Sequence, residues 1–219
     1  IKRGRLPIVS STTIDAYLLP QVLGQFHQRH PHLDLRLEIA NTEDIQKLLR
    51  SGAVELGLTE GIGEADGLDA VVFHQDRLVA IAPPGHPWLS KRPLSARELC
   101  REPFVMREPG SGTRAVIELA LAKRDLSVEP VLSLSSTEAI KRAVMAGLGI
   151  AIVSRLAIGL ELQSGLLAML PVKDLTIRRP LHQQKLQGTN PSPALAQFLS
   201  LLPTLAKPRP RRATAQVGR

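Results

Sequence analysis

Short runs of hydroxyl residues stand three times where an apolar strand gives way to an amphipathic helix: Ser10-Ser11-Thr12-Thr13, Gly110-Ser111-Gly112-Thr113 and Ser135-Ser136-Thr137. The first N–H groups of a helix have no partner inside it, and the helix dipole adds partial positive charge there. Hydroxyls beside those groups complete a cradle for a small anion or carboxylate, with no catalytic residue needed. The same residues also suit plain N-capping, worth about 1 kcal/mol each, which requires no ligand. Residue type alone favours capping. Gly110 and Gly112 are ordinary turn residues that also permit close backbone approach. The run is not a P-loop, because no Gly-Lys-Ser/Thr follows a four-residue spacer.

Little else in the chain carries chemistry. His27, His30, His32, His74, His86 and His182 form no His-Glu-x-x-His pattern, and Gly-x-Ser-x-Gly and Cys-x-x-Cys are absent. The single cysteine, Cys100, allows neither a disulfide within the chain nor a zinc spacing. No nucleophile stands beside a base. The chain therefore reads as a binding protein rather than an enzyme, with no metal and no cofactor. Arg107 and Arg114 flank the Gly-Ser-Gly-Thr run and suit either a bound anion or a surface ion pair. Trp88, the only tryptophan, is expected to pack between subdomains.

The elements that must position these runs alternate between strand and helix. Residues 6–10 read as a strand and 16–30 as a helix, with Leu18, Leu19, Val22, Leu23 and Phe26 on one face. A strand at 33–39, a helix capped by Asn41-Thr42-Glu43-Asp44 and a buried strand at 56–59 follow. This β-α-β-α-β order implies a parallel sheet with right-handed crossovers. A second unit begins at Asp76-Arg77 with a strand over 78–82. It carries capping boxes at Ser95–Glu98 and Ser135–Glu138, strands at 104–106, 131–134 and 150–153, a helix at 113–125 and another ending at Ala146. A strand over 177–186 leaves this unit, and a helix over 192–202 comes last. The hydroxyl entrances at 11–13 and 111–113 suggest two like halves facing one cleft, where ligands of such folds bind. A crossing near 76–78 and a return near 183 would make a two-strand hinge.

At 219 residues the chain suffices for one large domain or two small ones. Its formal charge of +8 lies at the ends, since residues 6–206 hold as many acids as Lys and Arg together. Basic ends on a neutral body read as solvated flanks rather than a nucleic-acid stripe. Residues 207–219, beginning Lys207-Pro208-Arg209-Pro210-Arg211-Arg212, read as a disordered basic tail. No apolar run is long enough to span a bilayer, no secretory leader opens the chain, and lone-cysteine usage suits a reducing, cytoplasmic compartment. The chain starts at Ile1 rather than Met, so a preceding segment is expected.

Taken in order, Ser11-Thr12-Thr13-Ile14 with Tyr17-Leu18-Leu19-Pro20, Phe26 to Pro31, Leu56 to Gly61, Ala82 to Pro87, Arg107 to Arg114, Ser136 to Lys141 and Ala146 to Ala151 form a connected set. Across about residues 5–203, that set resembles the effector-binding (co-inducer) domain of LysR-type transcriptional regulators. The resemblance implies an α/β fold of two Rossmann-like subdomains joined by a two-strand hinge, like type 2 periplasmic-binding proteins. It places residues 1–77 with 183–206 in subdomain I and 78–182 in subdomain II, behind an N-terminal helix-turn-helix domain that this chain lacks. It implies a small-molecule effector held by Ser11, Thr12, Thr13, Thr59, Ser111, Gly112, Thr113, Ser136 and Thr137. It also implies a homodimer or homotetramer, with promoter DNA bound through the missing domain and no membrane partner. Arg107 to Arg114 looks most like the subgroup regulating sulfur assimilation or carbon fixation, whose effectors are small anions or phosphorylated metabolites. Asp15 stands where many members carry Gly, which sets a negative charge near the first entrance unless it faces away. The competing classes are a periplasmic solute-binding protein for a small anion or carboxylate, and a dehydratase using the same fold.

Overall fold

The computed structural model describes residues 4–61, 66–90 and 93–202; the expected tail over 207–219 and the charges of Lys2 and Arg3 lie outside them. Strand β1 (Gly4–Ser10) leads through Ser11 into α1 (Thr12–Tyr17), followed directly by α2 (Leu19–Arg29). The single helix expected over 16–30 is thus two helices that begin at Thr12. Pro20 has no N–H to offer the carbonyl one turn back, so the ladder stops at Leu18 and restarts. Helix α2 buries Leu19, Val22 and Phe26, and Phe26 meets Phe198 edge to face at 5.4 Å between ring centroids.

Strand β2 (Leu33–Ile39), α3 (Thr42–Arg50) and β3 (Leu56–Glu60) complete the first half. Asn41 caps α3 as expected, its side chain accepting from the Asp44 N–H at 2.9 Å. Strand β1 pairs in parallel with both β2 and β3, the arrangement the alternating order requires. Gly57 lets α3 press close: a Cβ there would overlap Ile45 and Leu49.

Strand β4 (Leu68–Ala82) is a single strand of 15 residues, so the unit expected to open at Asp76 begins inside it. Then come α4 (Ala96–Leu99), β5 (Val105–Arg107), α5 (Gly112–Ala122), β6 (Leu132–Leu134), α6 (Thr137–Met145), β7 (Ala151–Ser154), α7 (Gly159–Gln163), β8 (Ala168–Met169), β9 (Ile177–Leu186) and α8 (Pro193–Leu199). The Ser95–Glu98 capping box forms. The second expected box does not: Ser136, rather than Ser135, caps α6 by accepting from the Ala139 N–H at 3.1 Å. Glu138 instead bonds to Tyr17.

The main sheet runs in the order β2-β1-β3-β9-β4-β7, with β8 on β4; β5 and β6 pair separately. Strand β9 lies antiparallel to both β3 and β4, its pairing with β4 running from Leu68–Leu186 to Leu78–Ile177. These two long strands carry the chain from one lobe to the other. Each lobe has its own core. Leu6, Ile8, Phe26, Leu58, Leu181 and Phe198 fill the first, joined by Phe73, the extra residue where the β4–β9 register shifts between Val72 and His74. Leu99, Phe104, Ile117 and Ile152 pack on one face of the second lobe, with Ile140, Val144 and Val153 on the other. Trp88 packs on the second core and donates its indole N–H to Glu102 at 2.6 Å. It sits within one lobe rather than between the two.

Candidate functional site

The two hydroxyl entrances facing each other across the lobes converge on the carboxylate of Glu60, the last residue of β3. Its Oε1 accepts from the Ser11 hydroxyl at 2.7 Å and from the Thr13 backbone N–H at 3.0 Å. Its Oε2 accepts from the Thr113 hydroxyl at 2.7 Å and from the Arg179 guanidinium. Arg179 also donates to Thr113 at 2.6 Å and to the Asp76 carboxylate. Ser11 and Thr13 belong to the first lobe, Thr113 opens α5 in the second, and Asp76 and Arg179 are cross-strand neighbours on β4 and β9.

This cluster is dry. Glu60 is 2 % exposed, Asp76 5 % and Arg179 0 %. Burial alone would raise the Glu60 pKa, but the Arg179 charge and the hydrogen bonds from Ser11, Thr113 and Thr13 outweigh it and hold the carboxyl at about 2. Glu60 is therefore ionised at neutral pH, and its charge is compensated from both lobes.

Plain capping does not account for the first two runs. Ser11 precedes α1 and Ser111 precedes α5, yet neither side chain makes a capping bond. The Ser11 hydroxyl serves Glu60, and the Thr13 N–H that a cap would satisfy receives Glu60 as well. Ser111 is buried at the mouth of a cavity of about 400 Å³ bordered by Thr42, Gln46, Glu60, Gly110 and Gly112. Gly112 matters through its missing side chain: a Cβ would overlap the Glu60 carbonyl and Thr42. A larger space of about 480 Å³, edged by Arg77, Arg155 and Lys173, lies on the second lobe away from these donors.

The other expected residues are placed differently. The Thr12 hydroxyl accepts from Arg107 at 2.8 Å across the lobes, and the rest of that guanidinium holds Glu108. Thr59 is buried beside Glu60, but strand alternation turns it to the α3 face, and its hydroxyl has no partner among the described residues. Ser136 caps α6, and neither Ser136 nor Thr137 bonds to Glu60. Arg114 pairs with Glu118 at 2.7 Å on its own helix and also reaches the Arg107 carbonyl. The Asp15 carboxyl is pushed up by partial burial.

Another contact between lobes lies at α1 and α6. Tyr17 donates to Glu138, while the Lys141 ammonium donates to Glu161 at 2.6 Å, to the Ala157 carbonyl at 2.8 Å and to Tyr17 at 3.3 Å. Burial and the Glu138 carboxylate push the Tyr17 phenol up to about 12.

Sequence reasoning missed Glu60, Asp76 and Arg179 as site residues. Glu60 carried a signal, the one charge in the strand Leu56–Glu60, whereas Asp76 and Arg179 each stand beside another charge, Arg77 and Arg178. Among the described residues, no group of three or more His, Cys, Asp or Glu is arranged to hold a metal ion, and no helix is long and apolar enough to cross a membrane.

Residues 2–206 match the family described as the LysR substrate binding domain. The chain is 36 % identical over 198 residues to a RuBisCO operon transcriptional regulator of Allochromatium vinosum, covering 90 % of this chain and 65 % of that protein. It is 31 % identical over 179 residues to the HTH-type transcriptional regulator CysL of Bacillus subtilis, covering 82 % and 60 %. It thus spans less than two thirds of either relative. The regulatory domain of Synechocystis CcmR, solved in complex with 2-PG, superposes with a TM-score of 0.83 at 31 % identity, covering 91 % of this chain and 96 % of that one.

Proposed function

Because this chain belongs to the family of LysR substrate-binding domains, we propose that it is the effector-sensing part of a cytoplasmic, DNA-binding transcriptional regulator, and that its effector is a small anion. The observation that carries the reading is the convergence of Ser11, the Thr13 N–H, Thr113 and Arg179, from both lobes and the hinge, on one carboxylate position. That donor set suits a carboxylate, sulfate-like or phosphate-like group equally. The relative named for the RuBisCO operon and the neighbour holding 2-PG support a small anionic metabolite of that kind.

In this reading residues 1–77 with 183–206 form one lobe and 78–182 the other, and β4 with β9 is the joint between them. An effector favouring one lobe arrangement shifts its population by no more than its differential affinity for the two. In the complete regulator, assembled as a dimer or tetramer, that shift alters the spacing of the DNA-reading helices. The role needs no turnover.

The test is a thermal-shift screen of small oxyanions and organic acids, followed by calorimetry on Thr113→Val. A ligand at a hundred times its Kd adds about 2.7 kcal/mol of apparent stability. A true effector stabilises the chain and binds the variant at least tenfold more weakly; unchanged affinity would remove the site from this cradle.

A further inference from the structure

We propose that Glu60 is a tethered surrogate for the effector: its carboxylate fills the anion cradle between the lobes in the free chain, and a small oxyanion binds there by displacing it. This rests on reading the cradle as the effector site. Four donors from two lobes and the hinge grip one carboxylate through both oxygens, Ser11 and Thr13 on Oε1, Thr113 and Arg179 on Oε2. A free carboxylate or phosphate would meet those same groups.

Simultaneous occupancy is disfavoured by charge. Glu60 and Asp76 already share the guanidinium of Arg179, one cation between two carboxylates. A second anion beside Glu60 would face two carboxylates at a dry site, which leaves exchange as the route in. The cradle also has unused capacity, since the fully buried Arg179 Nε has no acceptor among the described residues. A ligand with three or four oxygens engages more donors than one carboxylate does. Open space adjoins the cradle, because Glu60 also borders the cavity of about 400 Å³ alongside Thr42, Glu43, Gln46, Arg114 and Glu118.

The free chain is therefore closed on itself. Glu60 ties the first lobe to Thr113 of the second, and Gly112 lies against its carbonyl. The effector exchanges one anion for another rather than drawing open lobes together.

Isothermal titration of inorganic phosphate into this chain and its Glu60→Gln variant tests the proposal. Glutamine keeps the shape and one acceptor but removes the competing charge, so phosphate binds the variant at least tenfold more tightly. Equal or weaker binding overturns the surrogate role; the cradle itself then still stands if Thr113→Val weakens phosphate in both backgrounds. Absence of binding to either protein overturns the surrogate and the effector site together. Should Glu60→Gln fail to fold, Glu60→Asp draws the carboxylate back by one methylene. A gain of about threefold or more supports the proposal, and an unchanged Kd refutes it.

Discussion

Two of the places where charged groups join the lobes, the cradle and the α1–α6 contact, differ in how far water reaches them. At the cradle, Glu60, Asp76 and Arg179 are buried, with every charge held by a fixed partner. At the α1–α6 contact, Glu138 keeps 57 % of its side chain in solvent, although the Lys141 it pairs with is only 3 % exposed. Removing one member of a buried pair strands the others in a low dielectric, whereas an exposed partner is replaced by water. The cradle thus fixes how the lobes meet, and the outer clasp adds a bond that yields.

The sharpest break of this contrast is Arg179→Met, which leaves Glu60 and Asp76 as unpaired buried carboxylates. Urea unfolding should show a loss of about 3–5 kcal/mol, and a loss within the range of an exposed pair would erase the distinction between the joints. The pH profile comes next. Because Glu60 is held near 2, below its ordinary 4.5, its stabilisation is complete above the ordinary value and disappears as pH falls from there towards 2. Denaturant melts from pH 7 to pH 3 should show this acid limb, flattened in Glu60→Gln. Thr113→Val removes a hydroxyl that donates to Glu60 and accepts from Arg179, at a cost of about 1–3 kcal/mol in the same assay. The smallest effect belongs to the clasp. Tyr17→Phe should cost about 1 kcal/mol or less and leave phosphate affinity unchanged by calorimetry; a larger loss would make both joints structural equals.

Much of the framework was legible in the residues. The alternation over 33–39, the strand expected over 177–186, the Asn41 cap and the hydroxyl runs at 11–13 and 111–113 mark elements that the structure contains. Local chemistry also misled where one residue had two uses. Glu138 suits a capping box by spacing, but a phenol from the other lobe competes for it. Asp76, Glu60 and Arg179 could not be joined from sequence, because Arg179 lies 119 positions from Glu60 and 103 from Asp76. One of two adjacent arginines in a strand, Arg178 or Arg179, reads as a solvated side chain unless its opposite number is known. Thr59 shows the converse, since its motif names it while strand alternation turns it from the cradle.

The single extra residue in β4 has a reach well beyond Phe73. A one-residue change in register exchanges neighbours, so the irregularity between Val72 and His74 decides whether Gln75 or Asp76 stands across from Arg179. With the irregularity, Asp76 stands opposite Arg179; continued without it, the register that pairs Val72 with His182 would set the uncharged Gln75 there. One irregularity thereby determines whether a charge or an amide stands across the sheet from Arg179.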